Sequence, residues 1–349
     1  MITVMVVDDS ALMRKAIRGM LEDAGGFEVA TARNGADAIE QLPSVRPDVI
    51  TLDVNMPEMD GLTCLSEIMR TQPTPVVMLS SLTERGALTT LEAMELGAVD
   101  YLAKPGGTVS LNVAEVGDEL VRKVRDAART RPRTRSSGLA QRMRGERDRV
   151  RRTAPVRATS KVQAVLIGSS TGGPALVTEL LSELPGDFPA PIVVAQHMPA
   201  GFTRSLAARI DGVAQIRAVE LTSPASLQPG TAYICRGDAD GVISRRGGVL
   251  SARSVPASAS HRWHPSVDRL VESALEVVPA PALLGVLLTG MGDDGAQQMT
   301  RISTGGGRTI AESQESAVIW GMPGQLVAAG GATAVLPAGD ICAQLMKWI

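Results

Sequence analysis

Residues 2–14, ITVMVVDDSALMR, decide the reading of the fold: six apolar residues end abruptly on two carboxylates, Asp8 and Asp9, before an amphipathic run begins. A short, continuous, β-branched run fits a strand buried on both faces. The pattern recurs at residues 27–31, 49–52, 75–79 and 98–102, with helical periodicity between the runs. Strands alternating with helices require right-handed βαβ crossovers, and hence a parallel sheet covered on both sides. Residues 162–349 repeat the style, with strand candidates at 163–167, 192–195, Thr231–Cys235, 283–289 and 308–311, and a hairpin closing at 248–251. The expected fold class is α/β, with two doubly wound parallel-sheet domains.

The chain of 349 residues is long enough for two cores. Its 44% hydrophobic and 21% charged residues exclude a disordered chain, and no apolar run reaches the length of a spanning helix. Aromatic residues make up only 2%, which argues against stacking platforms for single-stranded nucleic acid. Cys64, Cys235 and Cys342 are too scattered for a zinc knuckle and odd in number, so a reducing compartment is expected. The amino-terminal run lacks a basic flank and a cleavage site; it reads as a first strand, and the expected location is the cytoplasm.

The net charge of −2 conceals a partition. Residues 1–121 carry 8 basic and 19 acidic side chains, 122–161 carry 15 and 3, and 162–349 carry 12 and 15. The Arg-rich middle has no sustained apolar stripe and reads as a solvated linker, helical around 139–150. The expected division is therefore 1–125, a linker over 126–161, and 162–349. A basic run also suits nucleic acid, but no recognition helix accompanies it, so no nucleic-acid partner is expected.

In the first domain Asp8 and Asp9 follow the first strand, Asp53 the third, Ser80 the fourth and Lys104 the fifth. All fall at the edge where open α/β sheets place ligands. Converging carboxylates repel one another unless a hard cation sits among them, and Mg²⁺ suits such a donor set. Asp53 then reads as an in-line nucleophile for phosphoryl transfer, with Lys104 and Ser80 as phosphoryl-binding groups. The competing reading is that these carboxylates only cap helices. Through VVDDSALMR, TLDVNMPEMDG, VVMLSSLTERG and DYLAKP, residues 1–125 resemble the receiver domain of two-component response regulators. That resemblance implies a flavodoxin-like fold, phosphorylation at Asp53 by a histidine kinase, an acidic pair (Asp8, Asp9) around Mg²⁺, a metal-binding backbone carbonyl at Asn55 and a switch aromatic at Tyr101. Residues 80–101, SSLTERGALTTLEAMELGAVDY, resemble the branch of receivers fused to methylesterases.

In the second domain Gly168-Ser169-Ser170-Thr171-Gly172 spells G-x-S-x-G after an apolar strand, with Gly173 and Pro174 opening a helix. A strand-to-helix turn exposes the central hydroxyl and aims helix N–H groups at an oxyanion beside it. A serine nucleophile needs a general base, and the chain has 3 histidines. His197 follows a strand and reaches the same edge as Ser170. His261 and His264 form a reserve pair whose spacing also suits a metal. Asp293 and Asp294 lie in the Gly-rich loop LTGMGDDGA, also after a strand, and one of them would orient the imidazole. Backbone N–H groups near Thr171 and Met291 are the expected oxyanion donors. A phosphate-binding loop is the alternative, opposed by the two acids and by the lack of a P-loop lysine.

The order Ser170, His197, Asp294 differs from the Ser, Asp, His order of α/β-hydrolases. Through GSSTGGP, QHMP, HPSVD, LTGMGDDGA, GGRTIAES and VIWGMP, the domain resembles the chemotaxis protein-glutamate methylesterase (CheB) family. The resemblance implies Ser170 as nucleophile, His197 as base and Asp294 as orienting acid, with no cofactor for the esterase. It also implies methyl-accepting chemoreceptors as substrates, reached as a peripheral partner, and deamidation of receptor glutamines. Two stretches depart from the family pattern: RWH stands before PSVD, where an Arg commonly precedes the Pro, and GMPGQ lacks the usual basic residue after GMP.

Overall fold

The computed structural model describes residues 1–81, 83–104, 113–130 and 161–349. The helix expected at 139–150 and most of the expected linker lie outside them. The chain divides into two compact units, Met1–Gly145 and Glu146–Ile349.

The first unit alternates β1 (Ile2–Val7), α1 (Ala11–Ala24), β2 (Phe27–Ala32), α2 (Gly35–Val45), β3 (Val49–Asp53), α3 (Gly61–Thr71), β4 (Val76–Ser80), α4 (Glu84–Leu96), β5 (Asp100–Ala103) and α5 (Val113–Ala127). All five strands are parallel, in the order β2-β1-β3-β4-β5. That order reverses direction between β1 and β3, and the crevice above their carboxyl ends is where such sheets bind ligands. Side-chain caps set the helix starts: Ser10, Asn34, Asp60 and Thr83 each accept an N–H from the first turn of α1 to α4. Strands β3 and β4 are buried along their whole length, which is why they read as unbroken apolar runs.

The second unit opens with β6 (Ala164–Ser169), α6 (Gly173–Ser182), β7 (Ile192–Gln196), α7 (Phe202–Val213), β8 (Arg217–Leu221), β9 (Ala225–Ser226) and β10 (Thr231–Cys235). It continues through β11 (Ala239–Arg246), β12 (Val249–Pro256), α8 (Val267–Val277), β13 (Leu283–Leu287), α9 (Ala296–Thr304), β14 (Arg308–Glu312), α10 (Met322–Ala328), β15 (Ala334–Leu336) and α11 (Ala338–Trp348). Seven strands form a parallel sheet in the order β15-β14-β13-β6-β7-β10-β8. Here the switch in direction falls between β6 and β13.

Two expectations are corrected. The hairpin joins β11 to β12 through Gly247 and Gly248, both at positive φ, so residues 249–251 belong to the returning strand and not to the turn. With β9 it forms a separate three-stranded antiparallel sheet. The strand expected over 283–289 ends at Leu287: the Leu288 N–H makes the last ladder bond, to the Gly168 carbonyl, and the Thr289 N–H donates instead to the Glu312 carboxylate at 2.7 Å. That early ending brings the following loop over the end of β6.

Candidate active site

Ser170 directly follows β6 and His197 directly follows β7, and the last residues of those strands, Ser169 and Gln196, are register partners. Serine and histidine are therefore neighbours at one sheet edge. Buried Gln196 locks them together: Ser169 Oγ donates to its Oε1 at 2.6 Å, while its Nε2 donates to the carbonyls of Ser170 (2.9 Å) and His197 (3.1 Å). From the other side the Ser170 N–H donates to the Thr289 carbonyl at 3.0 Å. The Ser170 hydroxyl itself is half-buried and has no hydrogen-bond partner among the described residues.

Asp294 lies in the loop between β13 and α9, and its carboxylate closes the arrangement. Oδ2 is 2.8 Å from His197 Nε2 and accepts the Val267 N–H at 2.7 Å; Oδ1 accepts Ser266 Oγ at 3.0 Å and the Asp268 N–H at 2.9 Å. Two of these donors are the first N–H groups of α8, so the carboxylate rests on a helix amino terminus. Burial pushes the Asp294 carboxyl up, but the His197 contact and the backbone N–H groups outweigh it and hold the carboxyl below its ordinary range. An ionised carboxylate only accepts, so Nε2 of His197 carries the proton and Nδ1 is left as an acceptor. That Nδ1 is buried with no hydrogen-bond partner. The fold thus places an open hydroxyl and an unsatisfied acceptor on adjacent strands, with the far side of the imidazole fixed by an anion.

The expected oxyanion donors flank Ser170. A Cβ on Gly290 would stand 2.7 Å from Ser170 Cβ, so only glycine lets the loop carrying Met291 lie against the serine. Thr171 is buried, and its carbonyl accepts Thr289 Oγ1 at 2.9 Å. Gly172, at φ +78°, caps α6 without a side-chain acceptor, so nothing from the cap itself competes for the helix N–H groups. Asp293 is exposed. The reserve pair turns to different partners: His261 Nδ1 lies 3.2 Å from Ser260 Oγ, and His264 Nδ1 lies 2.8 Å from Asp240 Oδ1.

Sequence reasoning missed the segment that roofs this site. Trp263 stacks on the His197 imidazole, with ring centroids 5.5 Å apart and planes 13° apart. Glu312, fully buried at the end of β14, holds the Thr289 N–H. Glu312 falls inside GGRTIAES and Trp263 inside RWH, but neither stretch has a periodicity that assigns these side chains a place at the site. Asp268 was also passed over. Burial first, and then the Asp294 charge, push its carboxyl up to about 6. An acid raised above its unfolded value of about 4 loses stabilising contribution as pH rises from about 4 to 6, because the unfolded chain releases the proton more readily. Asp268→Asn is therefore expected to melt at a higher temperature relative to the unsubstituted protein at pH 7 than at pH 4. A melting difference that stays constant across that window would contradict this.

In the first unit Lys104 Nζ bridges Asp8 Oδ2 at 2.8 Å and Asp53 Oδ2 at 2.7 Å. Burial disfavours the Lys104 ammonium, but its contacts with Asp53 and Asp8 prevail and raise its pKa; burial raises the Asp53 carboxyl against the pull of Lys104. Ligand oxygens of Asp8, Asp9 and Asp53 all lie within 4.8 Å of one another, the only such group of His, Cys, Asp or Glu among the described residues. An all-carboxylate donor set fits a hard cation such as Mg²⁺. The Asn55 N–H donates to Asp53 Oδ1 at 3.3 Å, which keeps that residue beside the cluster. Ser80 is buried at the end of β4 with its hydroxyl on the Gly86 carbonyl at 3.1 Å, and Tyr101 is buried with Lys123 Nζ 5.2 Å from its ring centroid.

Fold and sites together define a hydrolase of the methylesterase class behind a response-regulator receiver, and comparison with known proteins agrees. Residues 165–345 match the CheB methylesterase family, and residues 4–114 match the response regulator receiver domain. The chain is 52% identical to the protein-glutamate methylesterase/protein-glutamine glutaminase 3 of Rhodospirillum rubrum, over 100% of this chain and 96% of that protein. It is 50% identical to the corresponding enzyme 2 of Rhodopseudomonas palustris, over 100% and 98%. The crystal structure of the Thermotoga maritima CheB methylesterase catalytic domain superposes with TM-score 0.52 at 37% identity, covering 54% of this chain and 99% of that one. This chain belongs to the CheB methylesterase family. A receiver domain implies Mg²⁺-dependent phosphorylation in general, and among the described residues no helix is long and apolar enough to cross a membrane.

Proposed function

We propose that this enzyme hydrolyses γ-glutamyl methyl esters on methyl-accepting chemoreceptors, deamidates receptor glutamines by the same chemistry, and is activated by phosphorylation at Asp53 from a chemotaxis-type histidine kinase. The observation that carries the reading is the His197 ring: Nε2 rests on an anion while Nδ1, buried and unpartnered, is left to accept a proton beside Ser170. In the proposed reaction Ser170 Oγ bonds to the ester carbonyl carbon as its proton passes to Nδ1, and the carbonyl electron pair moves onto oxygen beside the N–H groups near Met291 and Thr171. Collapse expels methoxide, which takes the proton from His197 and leaves as methanol. Water, deprotonated by the same nitrogen, then releases the glutamate carboxylate and restores Ser170. A glutamine would follow the same steps with ammonia as the leaving group. No step requires a cofactor. The work is cytoplasmic, at the membrane-bound receptors but not in the membrane, and no nucleic acid takes part. The domain division proposed remains 1–125, 126–161 and 162–349.

In the receiver, Asp8, Asp9 and Asp53 with the Asn55 carbonyl would hold Mg²⁺, which when bound neutralises charge on the incoming phosphoryl group. Asp53 is the acceptor, and Lys104 and Ser80 bind the phosphoryl oxygens. Phosphorylation adds charge and acceptor oxygens where Lys104 now bridges Asp8 and Asp53, which biases a two-state receiver. Acetyl phosphate with Mg²⁺ is expected to raise methanol release by the full chain on the order of 10-fold, within the usual range of coupling free energies. Asp53→Asn or a chelator should abolish the increase and leave basal activity intact. An equal response in Asp53→Asn would contradict the regulatory reading.

A further inference from the structure

The segment between β12 and α8 contains the RWH stretch that departs from the family pattern. It is pinned from beneath by Asp240, which has no solvent exposure. That carboxylate accepts the Ser258 N–H (3.0 Å), the Ser266 N–H (2.9 Å) and Arg269 Nη1 (2.6 Å), and meets His264 Nδ1 at 2.8 Å. Held at both ends, the segment lays Trp263 nearly parallel to the His197 imidazole. On the same indole the Arg262 guanidinium lies 4.9 Å from the ring centroid. Gly292, at φ +87°, brings the Asp294 loop alongside the indole: a Cβ there would meet Trp263 Nε1 at 3.4 Å, an ordinary van der Waals contact.

We propose that Trp263 is a positioning residue for the reaction, holding the plane of the His197 ring and stabilising its imidazolium form through the electron-rich indole face. The inference rests on the reading of His197 as the base. Asp294 fixes one nitrogen of the imidazole but leaves the ring free to pivot about that contact; a stacked plane removes the pivot and determines where Nδ1 points. When Nδ1 takes the Ser170 proton the ring becomes a cation within about 6 Å of the indole centroid, the range in which an aromatic face attracts positive charge. The His197 side chain is only 8% exposed, so water contributes little to that stabilisation. The charged groups around the ring are consistent with this. Asp294 faces it from the loop after β13, Asp268 at the start of α8 touches it only through Asp294, Arg262 is exposed and screened, and His264 is occupied by Asp240.

The test replaces Trp263, in the full chain, with tryptophans of increasing fluorine content, which keep the shape and weaken the face. With a synthetic peptide bearing a γ-glutamyl methyl ester, kcat is expected to fall stepwise, about 5-fold across the series, while KM and the melting temperature hold. Trp263→Leu is expected to lose about 10-fold in kcat, and Trp263→Phe to fall between it and the unsubstituted chain. A flat fluorine series, or losses that track melting temperature, would overturn the proposal. Ser170→Ala and His197→Gln run alongside: if both lose activity and the series is flat, only this inference fails; if they keep activity, the underlying assignment of the base fails instead.

Discussion

Ser170→Ala is expected to lower methanol release from a γ-glutamyl methyl ester by about 10⁴-fold or more, leaving the folded protein intact. The magnitude is that of losing the nucleophile from a serine triad, in which the remaining groups still bind substrate and stabilise the oxyanion. The structure explains why stability should survive. Every hydrogen bond that positions residue 170 is made by its own backbone: its N–H donates to the Thr289 carbonyl, and its carbonyl accepts from the Gly173 N–H and from Gln196 Nε2. The hydroxyl that is removed has no partner among the described residues, so no buried group is orphaned. Substrate binding, measured as retention on methylated receptor, should remain. Normal turnover in this variant would end the assignment.

Asp294→Asn is expected to cost both activity and stability. Four donors converge on the carboxylate, from Ser266, Val267, Asp268 and His197. A carboxamide offers one accepting oxygen, so its NH₂ must face at least one of these donors. In either orientation α8 loses the anion at its amino terminus; an NH₂ in place of Oδ1 faces Ser266 Oγ and the Asp268 N–H, and in place of Oδ2 it faces the Val267 N–H and His197, whose imidazole then loses the acceptor that keeps the proton on Nε2. The expected loss is about 10³ to 10⁴ in kcat and about 1–3 kcal/mol in unfolding free energy. Kinetics combined with denaturant melts checks both numbers. A variant that melts normally yet is inactive would mean that Asp294 acts on the imidazole alone and does not anchor α8.

Much of this was readable from residues 2–14 and 164–174, because strands buried on both faces leave continuous apolar runs and end in the polar residues that do chemistry. Asp8, Asp53, Ser170 and His197 stand directly after, or at the end of, such runs, and Asp294 lies in the loop that follows one. Strand β8, Arg217–Leu221, did not announce itself: it is an edge strand in which only Ala218 and Leu221 are buried, and its RAVEL sequence suits a helix equally well. Strand β15 has three residues, below any periodicity. The β11–β12 hairpin was displaced by a residue or two because three consecutive turn-compatible positions, Arg246 to Gly248, leave its tip ambiguous. Trp263 was hidden for a different reason. Its role depends on Asp240, more than twenty residues earlier, drawing the segment down, and no local pattern records such a long-range anchor. The PSVD residues were visible as a family motif, but their work as the amino-terminal donors that hold Asp294 emerges only when α8 and the loop after β13 are seen together.

If Ser170, His197 and Asp294 act as one unit, their rate losses should not add, and combining the substitutions shows whether they do. Methanol release is measured for Ser170→Ala, His197→Gln and Asp294→Asn, singly and combined, on the same methyl-esterified substrate. The triple variant is expected to be no slower than Ser170→Ala alone, since a base and its orienting acid have nothing to do once the hydroxyl is gone. Losses that multiply across the three substitutions would contradict it.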